Sequence, residues 1–302
     1  MPPILRAAAF AGLLAFPAVA EVPQVVTDTP VVQSLVTTVM GDLSEPMLLL
    51  DRGADAHDFQ LRPSQVRALA GADLVIWIGP EMTPWLNRAL QTGHDGQVIP
   101  LLATPGTRLR DYGGDRADGA AVDEGQDHAG TDPHGWLDPT ILAAWIGRIA
   151  DALSALDEGN ATLYRANAAM AQARLEALDQ TLADRFAPAR GKGLVFGHDA
   201  YGYLADRYGL TIVGSLGEGD ASEPGAAHVA ELRDHAEKGD VACAFPEAGH
   251  DPRGIERLVA GTGTRLGRPL DPAGQEMEPG PDLHVAVLEA VAAAITDCLS
   301  GD

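Results

Sequence analysis

Tyr164, Ala168, Ala171, Leu175, Leu178, Leu182 and Phe186 follow one another at spacings of three and four, which aligns them in one stripe along a helix. The run predicts a single helix from about Asn160 to Phe186, roughly 40 Å long at 1.5 Å per residue. A rod of that length in the middle of 302 residues is suited to tying two lobes together.

On both sides of the rod, short apolar runs alternate with amphipathic segments. Before it, Gln24–Thr27, Met47–Leu50, Leu74–Ile78 and Gln97–Pro100 read as strands, separated by helices over Pro30–Met40, Pro63–Ala70 and Thr83–Gln91. A helix from Pro139 to about Leu156 then leads into the rod. Beyond the rod, Gly193–Gly197, Thr211–Val213, Val241–Phe245 and Thr264–Gly267 read as strands, with helices starting near Ala200, Pro224 and Pro252 and a last one over Leu283–Cys298. The alternation implies parallel sheets covered by helices. The expected fold class is α/β: two lobes, each a mostly parallel sheet covered by helices, joined by one long backbone helix. The expected division is a signal segment 1–20, a first lobe 21–157, a linking helix 158–187 and a second lobe 188–302.

Arg6 is the only charge before Glu21, Ala7 to Phe16 is almost wholly apolar, and Ala18-Val19-Ala20 has the small-x-small pattern read by signal peptidase. Cleavage after Ala20 is expected. The apolar run falls short of the roughly 20 residues that span a bilayer, and no later stretch is read as a span. Asp111–Pro133 breaks the α/β rhythm with seven carboxylates and no apolar periodicity, so a mobile acidic loop is expected there. Removing residues 1–20 leaves 20 basic against 43 acidic residues, a charge of −23. That balance excludes nucleic acid and anionic lipid as partners, since both require basic patches.

Four residues stand where a strand ends or a helix begins. His57 follows the strand Met47–Leu50; His134 precedes the helix at Pro139; His198 follows Gly193–Gly197; Asp282 opens the last helix. Ligands collect at the carboxyl ends of parallel strands, and two of these residues come from each lobe. Three imidazoles and a carboxylate match the four N/O donors of tetrahedral Zn²⁺, whereas Mn²⁺ favours more oxygen. His94, His228, His235 and His250 read as solvated loop or helix-face residues. His284, two residues beyond Asp282, is an alternative fourth donor, and water is another. Cys243 and Cys298 either pair or remain two buried thiols.

At these residues the chain resembles the zinc-binding proteins of ABC importers, within the manganese/zinc group called cluster A-I. The resemblance rests on the His57 loop with Leu61-Arg62-Pro63-Ser64, on Ala72-Asp73-Leu74-Val75 leading to Gly79-Pro80-Glu81-Met82, and on Trp136-Leu137-Asp138-Pro139. It continues in His198-Asp199-Ala200-Tyr201-Gly202-Tyr203 and in Leu270-Asp271-Pro272 with Gly274.

It implies a periplasmic, non-enzymatic protein that binds Zn²⁺ through His57, His134 and His198, with Asp282 as the fourth ligand and Cys243–Cys298 as a disulfide. Some zinc members carry Glu immediately before the first His, where this chain has Ala56. Glu at the third histidine position would indicate manganese, the alternative cargo; His198 points to zinc. The implied partner is an inner-membrane permease, with a periplasmic zinc chaperone as a further candidate, and the implied state is a monomer. Zinc members often have a His-rich loop where this chain has the acidic one; the loop reads first as solvated, with a weak second site at His128 and Asp127 as the other reading. Asp58, Asp199 and Glu247 are expected to orient the imidazoles, with helix capping as the other reading of Asp199. A zinc hydrolase is disfavoured because the sequence has neither a His-Glu-x-x-His helix nor a Gly-x-Ser-x-Gly turn.

Overall fold

Apolar tetrads such as Leu74-Val75-Ile76-Trp77 and Gly193-Leu194-Val195-Phe196 lack an exposed side chain, which requires strands covered on both faces. In the computed structural model, which describes residues 21–112, 130–217 and 225–301, they form the middles of two sheets. The first comprises β1 (Val25–Thr27), β2 (Met47–Leu48), β3 (Leu74–Trp77) and β4 (Gln97–Pro100), in the order β2-β1-β3-β4 with every pair parallel. The second comprises β5 (Gly193–Phe196), β6 (Thr211–Ser215), β7 (Cys243–Phe245) and β8 (Arg265–Leu266), in the order β6-β5-β7-β8, again all parallel.

The helices are α1 (Pro30–Met40), α2 (Pro63–Gly71), α3 (Pro84–Gly93), α4 (Pro139–Leu156), α5 (Ala161–Phe186), α6 (Gly202–Tyr208), α7 (Ala226–Lys238), α8 (Arg253–Val259) and α9 (Leu283–Ser300). Several begin where local chemistry dictates. Thr29 Oγ1 accepts the Val32 N–H ahead of α1, and Asp138 accepts the Thr140 N–H ahead of α4, each with Pro in the first turn. All seven residues of the long stripe are buried on α5. That helix packs against α1, α4, α9 and α6, and so touches elements of both lobes.

Two features of the fold depart from the sequence expectations. By length and composition α9 does qualify as a membrane span, with mean hydropathy 1.6 over 18 residues. Ten of its residues are buried, His284 and Cys298 among them, so its apolarity serves the core. The acidic segment is also shorter than expected. Asp111 bridges Thr131 in antiparallel register, the Tyr112 N–H bonds to Gly130 O and the Asp132 N–H to Arg110 O, while Asp132 and Pro133 are buried. Its two ends thus form a stem. The expected signal segment, His128 and Asp127 lie outside the described residues. Cys243 at the start of β7 is bonded to Cys298 in the last turn of α9, with Cα atoms 6.3 Å apart.

Candidate metal centre

His57, His134 and His198 converge. Each offers a ring nitrogen within 4.8 Å of the other two. Ring centroids are 6.1 Å apart for His57–His134 and His57–His198, and 4.9 Å for His134–His198. His134 is 1 % exposed, while the other two are partly buried.

Each histidine is held differently. His198 follows β5 through Gly197, whose N–H bonds to Phe245 O. A Cβ at 197 would lie 3.2 Å from the Glu247 backbone nitrogen, so glycine lets the two strand ends close up. Glu247 then reaches His198 Nδ1, with its oxygens at 3.0 and 3.2 Å. Burial raises the Glu247 carboxyl, but the His198 hydrogen bond and the neighbouring imidazoles outweigh that and bring it below the ordinary glutamate range.

His134 is gripped by Asp132, whose Oδ1 accepts both the His134 backbone N–H and Nδ1–H at 2.9 Å. Asp-Pro-His spacing lets one carboxylate satisfy both donors. With Nδ1 committed to a carboxylate in both residues, Nε2 carries the lone pair for a metal. His57 sits on a loop instead. Its backbone N–H bonds to Asp55, the preceding Ala56 carbonyl accepts from Trp85 Nε1 at 2.7 Å, and Phe59 packs edge-on to Trp85. The second lobe also holds this loop, since Arg52 Nη2 donates to Glu276 O and the Gly53 N–H to Gln275 Oε1.

Asp282 does not join the triad. It precedes α9, its side chain is 70 % exposed, and its carboxylate pairs with Arg174 of α5. The chain has already turned away from the cleft into the helix layer by that point. His284 is also elsewhere: its Nδ1 lies 3.0 Å from Ser34 Oγ, and burial followed by the Arg174 charge lowers its pKa to about 4. Asp58 is exposed, and Asp55 is the carboxylate that reaches the His57 backbone. Asp199 does not cap α6, whose N-cap is Tyr201. Its carboxyl is raised by burial and then by Asp132, against the lowering charges of Arg110, His134 and His198.

The other histidines among the described residues make local bonds. His94 Nδ1 meets Leu69 O, His228 Nε2 meets Ser215 O, His235 pairs with Asp240, and His250 Nδ1 meets Ala248 O.

Asp132, which falls among the loop acids in sequence, and Tyr201 stand at the site without having been expected there. The Tyr201 hydroxyl is buried without a hydrogen-bond partner, and its pKa is raised by burial and by the charges of Glu247 and Asp271. The Asp-x-His spacing was the available signal for Asp132; nothing local marks Tyr201.

A closed set of imidazoles from two lobes can hold a borderline-soft divalent cation, and the chain's relatives agree. Residues 25–298 match the family described as the periplasmic component A of the zinc-uptake complex, ZnuA. The high-affinity zinc uptake system protein ZnuA of Paracoccus denitrificans is 44 % identical, with 100 % of this chain and 99 % of that protein covered. Its namesake in Brucella suis is 31 % identical, with 98 % and 97 % covered. A crystal structure of a zinc-bound ZnuA deletion mutant superposes with a TM-score of 0.76 at 26 % identity, covering 91 % of this chain and 98 % of that one. The chain belongs to the ZnuA family, the periplasmic component of zinc uptake.

Proposed function

We propose that this chain, exported after loss of residues 1–20, captures Zn²⁺ as cargo through Nε2 of His57, His134 and His198 and passes it to the membrane permease of an ABC importer. It acts as a binding protein and not as an enzyme. The observation that carries the reading is the convergence of three imidazoles, each with a ring nitrogen within 4.8 Å of the others, from segments of both lobes. Tetrahedral zinc takes a fourth donor. Asp271 is the carboxylate to test there. It directly follows the Glu247–Leu270 bridge, its charge acts on Tyr201 together with that of Glu247, and its oxygens accept the Gln275 and Glu276 N–H groups.

Ligands shared between lobes suit reversible capture, because separating the lobes divides the donor set. The test is zinc titration against a competing chelator for His57→Ala, His134→Ala, His198→Ala and Asp271→Asn. Each histidine change is expected to weaken binding by at least about 100-fold, since an inner ligand costs more than the 10- to 100-fold lost with its supporting partners. Wild-type affinity in any His→Ala variant removes that residue from the ligand set. Zinc must also outcompete Mn²⁺ under native conditions, as an all-nitrogen triad requires.

A further inference from the structure

Asp132 has no exposed side-chain surface, and one of its oxygens is used up on His134. A buried carboxylate is costly unless a cation or several donors meet it. Arg110 supplies the cation, with Nη1 3.3 Å from Asp132 Oδ2 and its own side chain 13 % exposed. The same guanidinium turns Nε toward Asp206 Oδ2 of α6 at 3.2 Å. Tyr203 Oη, also on α6, accepts the Arg110 N–H and donates to Asp132 O, both at 3.1 Å. One arginine of the first lobe therefore spans to the helix that starts four residues after His198.

Gly202 shows that this crossing is built in. A Cβ there would lie 2.1 Å from Arg110 Nη1 and 2.2 Å from its Cζ. The guanidinium lies flat on the first residue of α6, where any larger side chain would displace it. The glycine in Tyr201-Gly202-Tyr203 is thus explained by an arginine 92 positions earlier in the chain.

We propose that Arg110 is a positioning residue for zinc: laid over Gly202 and anchored to Asp206, it fixes the carboxylate that aims His134 and so sets that imidazole against His198 across the cleft. This rests on His134 being a ligand. As the lobes part, the guanidinium leaves Asp206 and Gly202, and Asp132 loses the support of the second lobe in the same motion that separates the imidazoles.

The experiment uses the mature chain with Arg110→Met, Arg110→Lys, Gly202→Ala, the Arg110→Met/Gly202→Ala double variant and His134→Ala. Zinc affinity is measured by chelator competition, apo-protein stability by urea, and ligand geometry by the visible spectrum of the Co²⁺-substituted site. Arg110→Met and Gly202→Ala are expected to weaken zinc about 10- to 100-fold, the range for partners that orient a metal ligand, and to alter the Co²⁺ spectrum. Lysine, a point charge without the planar fork, is expected to fail as a rescue. Gly202→Ala should cost nothing further in the Arg110→Met background, because the glycine's role is to admit the arginine.

Unchanged zinc affinity and Co²⁺ spectrum in Arg110→Met and Gly202→Ala, with lower urea stability alone, would reduce Arg110 to inter-lobe packing and overturn the inference. Full additivity of the two changes would also overturn it. If His134→Ala binds zinc normally, the ligand assignment fails and the inference with it; loss in His134→Ala beside normal arginine variants sinks the inference alone.

Discussion

His284 offers a quantitative test of how this core responds to acid. Its ring is 3 % exposed, among α1, α5 and α9, with Ser34 Oγ at Nδ1 and the Arg174–Asp282 pair nearby. Burial first and Arg174 second lower its pKa from 6.5 to about 4, with Asp282 partly opposing. Above the unfolded value both states are neutral and the fold carries no penalty. Between 6.5 and about 4 the unfolded chain binds a proton that the folded chain refuses, so stability falls as pH falls through that window. By linkage the loss reaches about 2.5 kcal/mol at roughly pH 4.5.

Asp28 has the opposite sign. It is raised to about 6 by burial, against the hydrogen bonds from Ile78 and Thr83, so its contribution is present below 3.8 and lost as pH rises through about 6. The two slopes oppose one another, which is why the wild-type curve alone cannot isolate the histidine. The difference from His284→Asn can, because Asp28 and the other carboxylates cancel. Urea unfolding with zinc chelated should show the variant less stable near pH 7.5, with the gap closing by about 2.5 kcal/mol toward pH 4.5. Parallel curves across that range would refute the reasoning. Zinc affinity near pH 7.5 should be unchanged, as expected of a histidine outside the triad.

Asp282→Ala should bind zinc like the wild type by chelator competition, since its carboxylate faces Arg174; a weakening as large as that of the His→Ala variants would return it to the ligand set. Glu247→Gln should weaken zinc about 10- to 100-fold in the same titration, because the carboxylate that fixes the His198 tautomer is lost. Cys243→Ser/Cys298→Ser should lower urea stability by about 4 kcal/mol in the chain-entropy model. Zinc affinity should survive that change, because the bond joins the start of β7 to the last turn of α9, whereas His198 follows the end of β5 and His134 precedes α4. Trp85→Phe removes the bond to Ala56 O and should speed zinc release about fivefold by stopped-flow chelation, as one hydrogen bond of about 1 kcal/mol allows.

The α/β alternation was legible because burial on both faces forces continuous apolar runs, as in Leu74–Trp77 and Gly193–Phe196. Errors gather at strand ends: Met47–Leu50 shortens to Met47–Leu48, Thr264–Gly267 to Arg265–Leu266 and the central Val241–Phe245 to Cys243–Phe245, while Thr211–Val213 at a sheet edge extends to Ser215. The helix expected near Ala200 begins at Gly202. The residues between, Asp199 and Ala200, lie in the turn that leaves His198 beside Glu247.

His57, His134 and His198 stand near strand or helix ends that a parallel topology gathers in one cleft, so their rough positions follow from the rhythm. Asp282 also opens a helix, yet the twelve residues between Leu270 and Leu283 carry the chain from the cleft to the face of α5, and no periodicity records that excursion. Asp132 and Arg110 are concealed for the converse reason. Their neighbours in sequence are acidic and polar, which reads as solvent, whereas their neighbours in space are Tyr203, Gly202 and Asp206 from the other lobe. A buried carboxylate that orients an imidazole is costly without a cation beside it, and in this fold that cation is 22 positions away in sequence with its anchor in another lobe. On the proposed assignment, capture of a doubly charged ion depends on charges drawn from both lobes, Asp132 and Arg110 from one and Asp206 from the other.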